Sequence, residues 1–254
     1  NMNNLIRKKG YIIISSKEIH LIKKKLRASI IKASNHIIKL NTKKRKKFSN
    51  FDNVIEYLYS VDKKLKTNLI SKLYDIAPDL HDVSEVITNK TFIKIIKKLG
   101  IKYPTIGTSI SLRLDRPNCK KLNTSLHQDI WYSMISNNSL TIWFNLSKVN
   151  EIDGPLEICK TFKKKIYKFT DNKMGTYTAV VSDKYKFDQV YLKENEILVF
   201  SQYLLHRSGN NLSTKPRASI QIRYNDFYDN KKFNKSYKNV LSSHVLNNQK
   251  KYLI

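Results

Sequence analysis

Hydrophobic residues follow two different periods along the chain, one in the first hundred residues and another from residue 101 onward. In the first part they recur every three to four residues, which is the spacing of an amphipathic helix. This spacing predicts helices over 17–40, 51–76 and 82–99, with Ser16 capping the first and a short strand over 11–14 preceding it. Residues 1–100 are therefore expected to form a mostly helical scaffold.

From residue 101 the pattern becomes an alternation of apolar and polar residues, which begins with Thr-Ser-Ile-Ser-Leu-Arg-Leu at 108–114. Alternation of this kind marks a strand with one buried face. Further short strands separated by turn residues are predicted over 129–135, 140–146, 155–159, 177–181, 189–192, 197–200 and 218–224. Many short strands in succession favour a sandwich or a jelly roll over alternating β-α units.

These patterns predict a mainly β fold with additional α-helices, organised as one domain over 1–254. Its core would be a double-stranded β-helix, the cupin-like jelly-roll barrel, over 101–227. N-terminal helices would flank this barrel, and a basic C-terminal tail over 228–254 would follow it.

The formal net charge of +28 is the strongest feature of the composition. Lysine accompanies isoleucine and asparagine throughout the chain, and all three have A/T-rich codons, so a biased genome composition is a sufficient explanation. Nucleic acid is therefore not expected as a partner, although such a surface attracts anionic molecules in general. The basic cluster at 43–47 is interpreted as a solvated loop.

The two cysteines suggest reduced thiols, and no apolar run approaches the roughly 18 residues of a membrane span. These features predict a cytoplasmic protein without a transmembrane segment, and they leave its oligomeric state undetermined.

His127-Gln128-Asp129 is the one His-x-Asp sequence in the chain. Side chains two residues apart in extended chain point the same way, so His127 and Asp129 can bind one metal ion. His206, which follows the apolar run at 197–200, can supply a third ligand. Two imidazoles and one carboxylate, with the other coordination positions open, suit ferrous iron in non-haem oxygenases.

The segment from His206 to Ser219, His-Arg-Ser-Gly-Asn-Asn-Leu-Ser-Thr-Lys-Pro-Arg-Ala-Ser, resembles a family motif. It is similar to the distal motif of the phytanoyl-CoA dioxygenase-like family of Fe(II)/2-oxoglutarate oxygenases, where an arginine follows the ligand histidine after a Ser-Gly turn. The proximal region also resembles the family through His-Gln-Asp, Trp131-Tyr132, Thr-Ile-Trp-Phe-Asn-Leu at 141–146 and Asn-Glu-Ile-Asp-Gly-Pro-Leu-Glu at 150–157. The resemblance covers about residues 101 to 227.

The resemblance implies a role for six residues. The catalytic iron ligands would be His127, Asp129 and His206. Arg217 would bind the distal carboxylate of 2-oxoglutarate, Ser208 would hydrogen-bond the same carboxylate, and Trp143 would border the cosubstrate. Fe(II), 2-oxoglutarate and O2 are the implied cofactors. The chain departs from the family at Cys159-Lys-Thr-Phe-Lys, where relatives usually have a Pro-Gly-Ser-His turn.

The implied activity is hydroxylation of a small or carrier-linked metabolite with release of succinate and CO2. Relatives with alanine or glycine in place of the aspartate are halogenases, so Asp129 favours hydroxylation. The charge of the chain favours an anionic substrate, for which Arg113, Arg207 and Arg223 are candidate binding residues.

Two other interpretations remain open. A catalytically vestigial jelly-roll module could bind nucleic acid or an anionic glycan through its basic surface. The complete set of three ligands together with Arg217 argues against a vestigial site. A metal-binding cupin isomerase would be expected to carry more histidines and would have no use for the distal arginine.

Overall fold

The computed structural model describes six stretches of the chain: residues 2–42, 47–119, 123–132, 136–171, 177–182 and 184–229. The predictions for the basic cluster at 43–47 and for the tail at 228–254 lie almost wholly outside these described residues. None of the helices within them combines the length and the apolar character needed to cross a lipid bilayer.

The helices lie in the first hundred residues, as predicted: α1 (Met2–Lys9), α2 (Lys17–Asn41), α3 (Phe51–Leu65), α4 (Leu69–Ile76), α5 (His81–Ser84) and α6 (Lys90–Lys98). Short 3-10 turns occupy Ala77–Asp79 and Glu85–Thr88. Ser16 caps α2 because its hydroxyl accepts the backbone N–H of Ile19 at 3.3 Å. Helix α1 was not predicted.

The predicted helices over 51–76 and 82–99 are each divided. Lys66 ends α3 in the left-handed conformation (φ 53°), and the carboxylate of Asp62 then accepts the N–H groups of Leu69 and Ile70 at the start of α4. Asn89 begins α6 in a similar way, since its side chain accepts the N–H of Thr91. These local side-chain acceptors satisfy the first amides of a new helix, so they compete with continuation of the preceding one.

Within the described residues, ten strands form three sheets, and the strand pairings are antiparallel. The strands are β1 (Tyr11–Ser15), β2 (Pro104–Asp115), β3 (Ser139–Asn145), β4 (Leu156–Cys159), β5 (Phe169–Asp171), β6 (Tyr177–Ala179), β7 (Phe187–Val190), β8 (Glu196–Ser201), β9 (His206–Ser208) and β10 (Arg217–Asp226). The major sheet has the order β1-β8-β3-β10-β2, the minor sheet the order β7-β4-β9, and β5 pairs with β6.

The major sheet has one face toward the helices and one toward the minor sheet. Ala218, Ile220 and Ile222 of β10 are buried in the core that contains the apolar faces of the helices. On the other face, a second cluster joins Trp143, Leu198 and Phe200 of the major sheet to Leu156 and Ile158 of the minor sheet. Helices packed against two facing antiparallel sheets confirm the predicted jelly-roll class.

Alternation along β10 decides where its polar residues lie. Because successive strand side chains point to opposite faces, Arg217, Ser219, Gln221 and Arg223 face the minor sheet. The interior between the two sheets is therefore partly polar. This is the region in which the candidate site lies.

One predicted strand is wrong, and two strands were missed. The segment predicted as a strand over 129–135 begins with a 3-10 turn at Asp129–Trp131, and residues 133–135 lie outside the described part of the chain. Strands β5 and β9 have three residues each, which is too short for an alternation pattern to identify.

Candidate metal centre

Three predicted ligands converge between the sheets. His127 and His206 form an antiparallel bridge, in which the N–H of each donates to the carbonyl of the other at 3.0 and 3.1 Å. Oδ1 of Asp129 lies 3.8 Å from Nε2 of His127 and 4.0 Å from Nε2 of His206. All three residues are buried, and their ligand atoms are close enough together to hold one metal ion.

His206 follows the apolar run at 197–200, as predicted, but it lies in a different sheet. The chain crosses from β8 in the major sheet, which contains that run, to β9 in the minor sheet, which contains His206. The imidazole of His206 consequently faces Phe200 across the interior, with the two ring centroids 4.7 Å apart.

Both imidazoles are oriented by backbone carbonyls. Nδ1 of His127 lies 2.8 Å from the oxygen of Ser125, and Nδ1 of His206 lies 3.0 Å from the oxygen of Leu204. Because a carbonyl only accepts hydrogen bonds, each Nδ1 carries the proton and each Nε2 keeps its lone pair. Burial lowers the pKa of His206, and it lowers the pKa of His127 to about 3. The imidazoles are therefore neutral near pH 7, the form that binds metal.

Gln128 holds the segment that carries His127 and Asp129. Its backbone is extended (φ −120°, ψ 138°), so its side chain points away from the two ligands. There its amide nitrogen donates to the carbonyls of Tyr203 and Lys165, and its amide oxygen accepts the N–H of Tyr167. The middle residue of the motif thus anchors the ligand pair to two other loops, a function that sequence reasoning missed.

The carboxylate of Asp129 has two side-chain donors. Nη2 of Arg223 donates to Oδ1 at 2.8 Å, and the hydroxyl of Thr141 donates to Oδ2 at 2.5 Å. Burial alone would raise the pKa of Asp129, but the Arg223 guanidinium opposes it, and the pKa lies well below its ordinary value. Asp129 is accordingly an ionised ligand. The contact of Thr141 was not predicted, and Arg223 was considered only as a substrate-binding residue.

Arg217 begins β10, and its guanidinium lies near the ring of Trp143 on β3. The guanidinium carbon of Arg217 is 5.8 Å from the centre of the Trp143 ring. Nη2 of Arg217 donates to the buried carboxylate of Asp115 on β2, a partner that was not predicted. Within the described structure, the buried Nε and Nη1 of Arg217 have no hydrogen-bond partner. Buried donors of this kind fit an incoming carboxylate.

Ser208 and Arg207 lie on opposite faces of β9. Ser208 shares the face of His206, and its backbone N–H donates to the carbonyl of Thr124 at 3.0 Å. Arg207 points away from the metal ligands, where its Nε donates to Glu157 at 2.6 Å and its guanidinium stacks on Phe187. Of the three arginines considered for substrate binding, Arg207 therefore lies outside the interior.

A family model described as phytanoyl-CoA dioxygenase matches residues 61–219, which is more than half of the chain. The chain belongs to this family. The match includes all three predicted ligands and Arg217, so it agrees with the resemblance that the motifs carried. A comparison of this chain with curated proteins gives no match.

Solved structures share the fold of this family member at low sequence identity. The apo form of the non-heme monooxygenase ThoJ is 13% identical with a TM-score of 0.57, covering 89% of this chain and 77% of that one. The epimerase SnoN in complex with Fe3+, alpha ketoglutarate and nogalamycin RO is 13% identical with a TM-score of 0.54, covering 89% and 82%. The alpha ketoglutarate dependent carbocyclase SnoK is 13% identical with a TM-score of 0.51, covering 89% and 83%.

Proposed function

We propose that this protein is an Fe(II)- and 2-oxoglutarate-dependent dioxygenase that hydroxylates a small or carrier-linked metabolite and releases succinate and CO2. The observation that carries the proposal is the buried convergence of His127, Asp129 and His206, in which Nε2 of each imidazole lies 3.8 or 4.0 Å from the same carboxylate oxygen.

The residues fit the two groups that the family implies. Two neutral nitrogens and one ionised carboxylate suit ferrous iron and leave coordination positions open for other ligands. The free Nε and Nη1 of Arg217, among the described residues, suit the distal carboxylate of 2-oxoglutarate. Ser208 and Trp143 would line the same cosubstrate. When bound, iron and 2-oxoglutarate would supply the oxidising chemistry, which consumes O2 and produces succinate and CO2.

The chain itself contributes orientation, charge and exclusion of water. The carbonyls of Ser125 and Leu204 orient the imidazoles, while Thr141 and Arg223 hold the Asp129 carboxylate. Burial between two sheets keeps water from the ligands, which strengthens every electrostatic contact that they make. Preorganisation of this kind positions a reactive metal without further rearrangement.

Family membership supports the class of activity more strongly than it supports one reaction. The solved structures with similar folds include a monooxygenase, an epimerase and a carbocyclase. Asp129 is the feature that favours hydroxylation over halogenation, because it fills the position that halogenating relatives leave free. Hydroxylation is accordingly the reaction that we propose.

The test is anaerobic titration of the apoprotein with Fe(II) and then 2-oxoglutarate, followed through the weak visible metal-to-ligand charge-transfer band. The wild type and Arg207→Ala should both develop the band, because Arg207 lies on the outer side of β9. Arg217→Ala should develop a weaker band at the same 2-oxoglutarate concentration. Succinate formation that requires both iron and 2-oxoglutarate should follow when O2 is admitted.

Absence of the band in folded, iron-treated wild type would reject the oxygenase. Salt-dependent retention of such a protein on heparin or DNA would then favour the basic-surface binding module.

A further inference from the structure

A line of aromatic rings runs from the protein surface to the metal ligand His127. Phe169, which is 45% exposed, has its ring centroid 4.6 Å from that of Tyr177. The Tyr177 ring lies 5.4 Å from Tyr132, and the Tyr132 ring lies 5.5 Å from the imidazole of His127, nearly perpendicular to it. Trp131 packs beside the outer end of this line, 4.9 Å from Phe169. We call Trp131, Tyr132, Phe169 and Tyr177 the aromatic wall.

The aromatic wall is built from two segments that are bonded to each other. The 3-10 turn that follows the metal ligand Asp129 supplies Trp131 and Tyr132, and the paired strands β5 and β6 supply the other two rings. The N–H of Tyr177 donates to the hydroxyl oxygen of Tyr132 at 2.9 Å, and the N–H of Ala179 donates to the carbonyl of Leu126 at 2.7 Å. These bonds hold β5 and β6 beside the segment that carries the ligand pair.

Internal packing leaves two groups of the aromatic wall unsatisfied. The indole Nε1 of Trp131 is buried and has no hydrogen-bond acceptor among the described residues, whereas a buried indole N–H usually has one. The Phe169 ring exposes apolar surface to water. The two rings are in contact, so one small molecule could cover Phe169 and offer an oxygen to Trp131.

The chemistry of the aromatic wall selects the kind of molecule. Aromatic faces attract planar rings and cations. The formal charge of +28 disfavours a cation. A sugar would need polar partners for several hydroxyls, and the aromatic wall consists mainly of apolar ring surface. A planar ring can pack against it through the same tilted contacts that the four rings already make with one another.

We propose that the aromatic wall is the substrate-binding surface beside the iron position, and that it binds an uncharged or anionic aromatic ring with an oxygen acceptor for Nε1 of Trp131. This inference rests on the proposed function, which would oxidise the bound molecule. Because Tyr132 contacts His127, a ring held against the aromatic wall lies next to the metal ligands. Selectivity for the substrate thereby belongs to these four side chains rather than to the lysine-rich surface.

The first experiment measures binding of small probes to the whole protein by ligand-detected NMR titration. The probes are acetophenone, cyclohexyl methyl ketone, which has the same carbonyl on a saturated ring, and methyl glucoside. Acetophenone should bind more tightly than the saturated ketone, and methyl glucoside should not bind. In anaerobic protein loaded with Fe(II) and 2-oxoglutarate, acetophenone should also shift the charge-transfer band.

Substitutions in the aromatic wall separate its two contributions. Phe169→Leu keeps an apolar side chain but removes the ring, so acetophenone affinity should fall by about 2- to 10-fold, the contribution of one aromatic pair. Phe227→Leu is the matched control, because Phe227 is also 45% exposed but packs against Tyr103, and it should bind acetophenone as wild type does. Trp131→Phe keeps a ring and removes the N–H, so it should weaken acetophenone about 2- to 10-fold more than ethylbenzene, which has no carbonyl.

Equal affinity of wild type for acetophenone and the saturated ketone would overturn the proposal, as would equal losses in Phe169→Leu and Phe227→Leu. Binding of methyl glucoside in place of acetophenone would overturn the aromatic class. Acetophenone that binds without shifting the band would show that the ring lies away from the metal, which also overturns the proposal. A wild type that forms no band before any probe is added rejects the proposed function and this inference with it, and that result is distinct from a band that ignores acetophenone.

Discussion

Thr141→Val tests whether a single hydroxyl sets the metal affinity of this centre. The Thr141 hydroxyl donates to Oδ2 of Asp129 at 2.5 Å, and Asp129 has 0% exposure, so solvent cannot replace the lost donor. Valine has nearly the same shape, so the substitution removes little besides the hydrogen bond. A hydrogen bond to a charged group contributes about 1.5–3 kcal/mol. At about 1.4 kcal/mol per factor of ten, iron affinity should fall roughly 10- to 100-fold.

The affinity can be measured by anaerobic competition for Fe(II) between the protein and a chromophoric chelator. Thr141→Ser is the matched control, because it keeps the hydroxyl and should bind iron nearly as well as wild type. Equal iron affinity in wild type and Thr141→Val would refute the reasoning. Equal losses in the valine and serine variants would also refute it, since packing rather than the hydrogen bond would then be responsible.

Three further predictions concern buried charge and backbone conformation. Burial lowers the pKa of Lys23 from 10.5 to about 8, so between these values the unfolded chain binds a proton that the folded chain does not, and stability rises with pH. In urea unfolding, the free energy of unfolding of wild type minus that of Lys23→Met should increase by about 3 kcal/mol between pH 8 and pH 10.5. A difference that does not change with pH would contradict this. Asp115→Asn removes the carboxylate that pairs with Arg217, so it should destabilise the apoprotein by about 3 kcal/mol. Addition of Fe(II) with 2-oxoglutarate should then raise the melting temperature of this variant more than that of wild type. Equal increases in melting temperature would argue against the pairing. Gly154 has φ +68°, and an added Cβ would lie 2.6 Å from a backbone nitrogen, so Gly154→Ala should lose about 1–3 kcal/mol in urea unfolding. Gly107→Ala, which has no contact below 3.2 Å, is the control and should lose less.

Local pattern was sufficient for the class of fold. A helical period before residue 101 and alternation after it separated the helices from the sheets, because each period reflects how one element buries one face. The same reasoning failed where polar side chains interrupt a pattern. Asp62 and Asn89 begin new helices inside segments whose apolar spacing continues, so the division of the predicted helices was not visible in hydrophobic positions alone.

Short spacing made His127 and Asp129 a candidate ligand pair, and the distal motif strengthened that prediction. His127 and Asp129 are two residues apart, and the extended backbone of Gln128 brings their side chains to one side. The family motif then selected His206. The predicted strand after Asp129 was wrong because the chain turns there into a 3-10 helix, which no alternation reveals.

The sequence by itself determined the periods, the ligand types and the family motif, since these depend on residues near one another in the chain. The tertiary structure decided which residues surround those ligands. Pairing of β3 with β10 sets Thr141 opposite Arg223, and both then contact Asp129. Pairing of β2 with β10 sets Asp115 opposite Arg217. Strand register depends on the packing of whole sheets, so contacts between residues about a hundred positions apart cannot be derived from local spacing.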